Sequence, residues 1–160
     1  MPTVSLKNRL ATRILDLRVP TNKAIFTVQS AVCHLFRDYF FRKGFIEIHS
    51  PKILGGSSEG GAEVFKTSFF GEPASLAQSP QLFKQMALMG DFEGVYEVGP
   101  VFRAENSNTP RHLAEFTGLD MEMEIKESYL EVLAVIGGVF NHMFTGLNEL
   151  CKAEIATIQK

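Results

Sequence analysis

The stretch GVYEVGPVFRAENSNTPRHLAEFTGLDMEMEI, residues 94–125, limits the possible folds more than any other, because two alternating segments there flank a polar, turn-rich loop. Successive side chains of a strand point to opposite faces. Tyr96, Val98 and Phe102 therefore share one face, and Arg103 and Glu105 share the other. On the return segment Leu119, Met121, Met123 and Ile125 form an apolar face opposite Phe116, Asp120, Glu122 and Glu124. Pairing that puts both polar faces on one side builds a sheet surface bearing a guanidinium, several carboxylates and an aromatic ring. The loop NSNTPR, residues 106–111, has the chemistry of an exposed turn. A long antiparallel hairpin with a chemical site at its mouth is the expected result.

The 160 residues are enough for one domain with a substantial core. A hydrophobic content of 45% against 21% charged residues excludes a disordered chain. With 16 basic and 18 acidic residues the net charge is −2, so no general basic field is present to hold nucleic acid. Any RNA contact is expected to come from a local surface or from parts missing from this chain. Cys33 and Cys151 lie far apart, without metal-ligand spacing, as expected for reduced thiols in an intracellular protein; no metal ligands are predicted. The start MPTVSLKNRL has no signal-peptide apolar region, and no uninterrupted apolar run approaches membrane-spanning length. No membrane contact is expected.

Taken in order, residues 1–20 read as a polar connector carrying Arg9, Arg13 and Arg18, and residues 21–160 as one domain. A helix is predicted from Thr21, as N-cap, to about Lys43, with Ala24, Val28, Ala31, Leu35 and Tyr39 on one face and Gly44 as its stop. Phe26, Phe36, Phe40 and Phe41 add more apolar surface than packing on one sheet requires, which points to a second subunit. KGFIEIHSPKI then gives a short β segment ending at Pro51. The Gly-rich stretch LGGSSEGGAEVF leads into a strand over 62–70 and lacks a Gly-Lys-Ser/Thr ending, so it reads as a lid rather than a phosphate loop. In AQSPQLFKQMALMG, Ser79 is the expected N-cap, Pro80 the first helical residue, and Leu82, Met86 and Met89 the buried face. Gln81 and Lys84 project together near the positive end of that helix, a geometry that suits an anion. Ser128 and Glu131 form a capping box before a structural helix whose apolar side is Leu130, Leu133, Phe140, Phe144, Leu147 and Leu150, weakened at Gly137 and Gly138. His34, His49 and His142 have no catalytic spacing.

FRAE, a short loop and then RHLAEF resemble the second signature motif of class II aminoacyl-tRNA synthetases. The resemblance implies that Arg103 is the catalytic residue, binding the ATP α-phosphate and the substrate carboxylate. It further implies ATP contacts from Glu105, from His112 near the γ-phosphate and from Phe116 stacked on adenine. A planar guanidinium suits the first role, since it binds phosphate oxygens bidentately and stabilises charge developing at phosphorus. KGFIEIHSPKI, residues 43–53, resembles the first motif, which implies a homodimer through the Thr21–Pro51 region. QSPQLFKQ resembles the aspartate-specific members of eukaryotic and archaeal type, in which the matched Gln81 and Lys84 hold the substrate and the Lys pairs with its side-chain carboxylate. SEGG matches with Ser58 and Glu59, and GLDMEM with Asp120, as further aspartate contacts on the ammonium side. The loop-tip residues Ser107 and Thr109 match contacts to the acceptor end of tRNA.

The resemblance runs from about Asn8 to the end. It implies an α+β fold with a mostly antiparallel sheet flanked by helices, a cytoplasmic location, and ATP-dependent activation of L-aspartate followed by transfer to tRNA(Asp). Residues 1–20 would then join an anticodon-binding domain. No Gly-x-Gly-x-Gly-x-Glu-Arg stretch follows, so the third signature motif and the Mg²⁺ ligands are missing, and the chain is expected to be incompetent alone. Two alternatives stay open: a silent paralogue or fragment that acts as a dimerisation or RNA-binding module, and an asparagine-specific relative, a group that lacks the matched Lys.

Overall fold

A computed structural model describes residues 4–56, 63–107 and 109–159. The elements run α1 (Leu6–Ala11), α2 (Arg13–Leu17), α3 (Pro20–Arg42), β1 (Ile46–Glu47), β2 (Ile53–Leu54), β3 (Lys66–Phe69), β4 (Glu72–Leu76), α4 (Gln81–Met89), β5 (Gly94–Phe102), β6 (Glu115–Met123), α5 (Leu130–Leu150) and α6 (Lys152–Ile158). The chain divides into two compact units, one of residues 1–36 with 136–160 and the other of residues 37–135.

The second unit carries two three-stranded sheets, ordered β1-β5-β6 and β2-β4-β3. Among the described residues the β1–β5 pairing is parallel and the others are antiparallel, in keeping with the expected α+β class. Apolar burial fixes the first sheet. Phe40 stacks on Tyr96 with centroids 5.5 Å apart and lies 5.0 Å from Phe45, and Phe40, Tyr96 and Val95 are all buried. Helix α3 stops where predicted, with Gly44 at φ 82°, a left-handed conformation that favours glycine. It starts earlier than predicted, because Pro20 rather than Thr21 opens it, with the fixed φ that suits a first helical turn. Strand β4 was not anticipated. EPASL contains Pro and lacks alternation, yet it pairs with β3 across a tight turn at Phe70 and Gly71, both at positive φ.

The expected buried face of α4 is overturned. Met86 is 62% and Met89 84% exposed, whereas Lys84, which lay outside that predicted face, is 4% exposed. The helix turns its polar stripe to the sheet because the sheet face it meets carries carboxylates. Pro80 is the N-cap instead of Ser79, whose hydroxyl accepts from the Gln81 N–H at 3.3 Å.

In the first unit the stretch read as a connector forms two short helices. Asp16 is buried there and accepts from Arg9 Nε at 2.6 Å, Arg13 Nη1 at 2.5 Å and Asn22 Nδ2 at 2.9 Å. The hydrogen bond from Arg9 holds the Asp16 carboxyl below its ordinary range. In α5, Val139 and Met143 are buried while Leu130, Leu133, Phe140, Phe144 and Leu150 are exposed, the reverse of the predicted apolar contact side. Helix α5 is also long and apolar enough to cross a membrane by length and composition alone. No uninterrupted run had suggested this, since the average is reached across Glu131, Asn141 and His142. Cys33 and Cys151 are free thiols.

Candidate active site

The register of the hairpin decides which side chains meet. Val101 lies opposite Phe116, Gly99 opposite Gly118, Glu97 opposite Asp120 and Val95 opposite Glu122, so all of these share one face. Pairing continues one step past the strands, where the Arg103 N–H donates to Ala114 O at 2.9 Å. This brings the Arg103 guanidinium carbon to 5.6 Å from the Phe116 ring centroid, within cation–π range. At the mouth of the hairpin a cation and an aromatic face therefore stand side by side, as the pattern of alternation predicted.

At the other end of the same face lies a row of charges. Lys84 reaches down from α4 and pairs with Asp120, with Glu122 Oε2 at 3.1 Å, and donates to Met121 O at 3.2 Å. Gln81, one turn earlier on α4, is half-buried. Across the register from Asp120, Glu97 is 2% exposed. Its Oε2 accepts from the Ser50 N–H at 3.1 Å and the Ser50 hydroxyl at 2.6 Å, and Lys52 pairs with its Oε1. Lys52 Nζ also donates to Ser50 Oγ at 2.9 Å. Sequence reading singled out Lys84 and Asp120 but missed Glu122, Glu97, Ser50 and Lys52. Alternation on the hairpin already put Glu122 beside Asp120; nothing in sequence linked Ser50 and Lys52 to Glu97.

Between the two ends the face carries only the glycine pair. A Cβ at Gly99 would sit 2.7 Å from Glu97 Oε1, and one at Gly118 would sit 2.9 Å from Val101 Cγ2. A side chain at either position would force Glu97 or Val101 to shift, and the glycines leave bare backbone between the acidic row and the Arg103–Phe116 pair.

The loop closes on itself through His112. Its Nδ1 is 2.6 Å from Thr109 Oγ1, and its Nε2 is 3.8 Å from Glu105 Oε2. Ser107 is exposed, its N–H donating to Glu105 O at 2.8 Å. Thr109 therefore touches the base of the loop through His112, whereas Ser107 points no hydroxyl contact inward among the described hydrogen bonds. Ser58 and Glu59 lie outside the described residues. Among the described residues no group of three or more His, Cys, Asp or Glu side chains is arranged to hold a metal ion.

Residues 5–160 match the family of tRNA synthetases class II (D, K and N). The chain is 54% identical over 152 residues to cytoplasmic aspartate–tRNA ligase 1 of Arabidopsis thaliana, covering 95% of this chain and 29% of that protein. It is 52% identical over 158 residues to the human cytoplasmic aspartate–tRNA ligase, covering 99% of this chain and 32% of that protein. Among solved structures, the aspartyl-tRNA synthetase of Entamoeba histolytica superposes with a TM-score of 0.83 at 48% identity, over all of this chain and 29% of that one. The asparaginyl-tRNA synthetase of Pyrococcus horikoshii, complexed with asparaginyl-adenylate, gives 0.87 at 34% identity, over 96% of this chain and 35% of that one. The chain spans about three-tenths of the length of the curated relatives.

Proposed function

The chain belongs to the class II tRNA synthetases, and from that membership we propose that it forms part of the catalytic domain of an aspartate–tRNA ligase. The ligase activates L-aspartate with ATP and passes the aspartyl group to tRNA(Asp). The observation that carries the specificity is the burial of Lys84 against Asp120 and Glu122 on the hairpin face. A buried cation at the end of an amino-acid pocket suits a substrate with a side-chain carboxylate; asparagine offers it no charge. Identity of 52–54% to proteins named aspartate–tRNA ligases points the same way, and a non-enzymatic module is not favoured.

In this reading the substrate ammonium takes Asp120, its side-chain carboxylate takes Lys84 with Gln81, and its α-carboxylate lies over the bare Gly99–Gly118 backbone toward Arg103. The Arg103 guanidinium binds the ATP α-phosphate and stabilises the charge that develops there. Phe116 supplies the stacking face for adenine, and Glu105 and His112 border the phosphates. Ser58 and Glu59 would act from the preceding loop. Positioning and electrostatics carry the reaction without a protein nucleophile. Mg²⁺ would neutralise the phosphates when bound, but the described residues are not arranged to hold it, and no step here runs through it. Ser107 and Thr109 present hydrogen-bonding groups suited to an unpaired RNA end. Exposed Ile25, Phe26 and Phe41 on α3 support a homodimer through Thr21–Pro51, and the relatives' names support action in the cytoplasm.

The test is a chimera in which residues 1–160 replace the matching stretch of the human relative. It should catalyse aspartate-dependent ATP–pyrophosphate exchange and charge tRNA(Asp), while the 160-residue chain alone should be poor at exchange. A folded chimera without aspartate-dependent exchange would overturn the assignment.

A further inference from the structure

Beside the charge row on the hairpin face stands an ion pair, Lys52–Glu97, that the proposed reaction does not use. Glu97 and Asp120 are opposite each other in the register, which places their Cβ atoms roughly 4.5–5.5 Å apart on one side of the sheet. Two like charges so placed repel. Glu97 nevertheless lies 2% exposed with Lys52 on one oxygen and both Ser50 donors on the other. Glu97 leans along β5 over Gly99, where any Cβ would collide with its Oε1 at 2.7 Å. The chain therefore gives up a side chain at position 99 to hold this carboxylate against Lys52.

We infer that Lys52 and Glu97 are positioning residues for amino-acid recognition: each cancels the other's charge, so that no second uncompensated charge stands beside Asp120, the group that takes the substrate ammonium. The inference rests on the proposed aspartate-activating role of this face. The groups facing Asp120 are Glu97 from β5, Glu122 from β6, Lys84 from α4 and, through Glu97, Lys52 from the segment after β1. Two lysines against three carboxylates leave this row one net negative charge. Loss of Lys52 leaves Glu97 as a second uncompensated anion beside Asp120. Loss of the Glu97 charge instead leaves Lys52 as an uncompensated cation across the register from Asp120.

The experiment uses the chimera defined above, measuring KM for aspartate and for ATP in pyrophosphate exchange between pH 6 and 8. Lys52→Met and Glu97→Gln should each change the aspartate KM, downward in the first and upward in the second, by about tenfold to a hundredfold, as expected for one unit charge left roughly 6–10 Å from the ammonium at an effective dielectric of about 20. The ATP KM should change less than about twofold, since Arg103 and Phe116 lie beyond the glycine pair. In Lys52→Met the acid-side loss of aspartate affinity should begin at higher pH than in the parent, and in Glu97→Gln at lower pH. The double variant Lys52→Met/Glu97→Gln, which removes both charges while keeping similar volumes, should bring both the aspartate KM and the pH profile back toward the parent. A merely structural clamp would lower stability and both substrates' affinities together, without pH shifts of opposite sign. That outcome, or an unchanged aspartate KM in both folded single variants, overturns the inference. If Lys52→Met fails to fold, Glu97→Gln and the double variant carry the same test. A parent chimera with no aspartate-dependent exchange would refute the proposed function instead.

Discussion

Replacing Lys84 by Met removes one charge and little else, because Met keeps most of the apolar stem and fills irregular space readily. The size of the effect follows from how far water reaches the ion pair. The Lys84 side chain is 5% exposed, against 30% for Asp120 and 27% for Glu122. Breaking a fully buried pair costs about 3–5 kcal/mol and an exposed pair only about 0.2–1 kcal/mol. Here the cation is buried but both carboxylates can be partly rehydrated, so the loss of stability should be about 2–4 kcal/mol. For a chain of this size that lowers Tm by about 5–15 °C. Urea denaturation and calorimetry of the 160-residue chain read the stability loss directly. Adding Asp120→Asn and Glu122→Gln to Lys84→Met should recover much of it, because no carboxylate is then left unpaired. In the chimera the same substitution leaves the substrate's own carboxylate without a partner, which costs about 3–5 kcal/mol in kcat/KM for aspartate. The preference for aspartate over asparagine should shrink about a hundredfold or more. Two results would refute the reasoning: a stability change under about 1 kcal/mol, where surface pairs fall, or an unchanged preference.

The loop separates into two behaviours. Ser107→Ala should slow tRNA charging in the chimera and leave pyrophosphate exchange nearly intact, whereas Thr109→Ala, which releases His112, should slow both; Arg103→Ala should abolish both. Equal loss of exchange in the Ser107 and Thr109 variants would count against the RNA assignment of Ser107. The start of α5 should be acid-sensitive. Glu131 accepts from the backbone N–H groups of Ser128, Glu127 and Lys126, with Ser128 the leading cause, and its carboxyl lies below the ordinary range. A depressed folded pKa gives stability that is present above the unfolded value of about 4.3 and is lost as pH falls through the folded value. Stability should therefore fall more gently below about pH 4.5 in Glu131→Gln than in the parent, and identical acid profiles would exclude the cap as the cause.

The hairpin was legible in the sequence because its information is local. Alternation assigns each residue to a face, and the loop chemistry fixes where the chain turns, so Arg103, Phe116, Asp120 and Glu122 could be grouped before any coordinates. Helix α4 misled for the opposite reason. Its periodic Leu82, Met86 and Met89 imitate a core stripe, and only the carboxylates of the facing sheet explain why Lys84 is the residue turned inward. The capping box at Ser128 and Glu131 was readable at four residues' range, though Ser128 Oγ accepts from the Leu130 N–H at 3.4 Å rather than from Glu131. Asp16 was not readable, since its value depends on three donors that converge only after α1, α2 and the start of α3 have formed. The Ser50–Lys52–Glu97 cluster was hidden likewise by the 45 residues between Lys52 and Glu97.

What holds the polar face in register is the opposite side of the same sheet. A slip of one residue would turn Arg103, Phe116, Glu97 and Asp120 away from α4 and expose the other set. The polar face resists this weakly, because its ion pairs recover in contacts little more than their desolvation costs. The other face resists it strongly. Tyr96 is stacked on Phe40, and a Cβ at Gly94 would stand 2.6 Å from the Phe45 ring, so any shift drives a side chain into an aromatic cluster. Each large buried side chain there stabilises the sheet by about 1.5–3 kcal/mol. Gly99 and Gly118 add a second lock, since moving a larger residue onto either position meets Glu97 or Val101. The residues proposed to bind aspartate and ATP are thus positioned by groups that touch neither. It follows that Phe40→Ala, which removes an aromatic side chain buried on the far face, should loosen substrate affinity at both ends of the row together. Lys52→Met, by contrast, should affect the aspartate end alone.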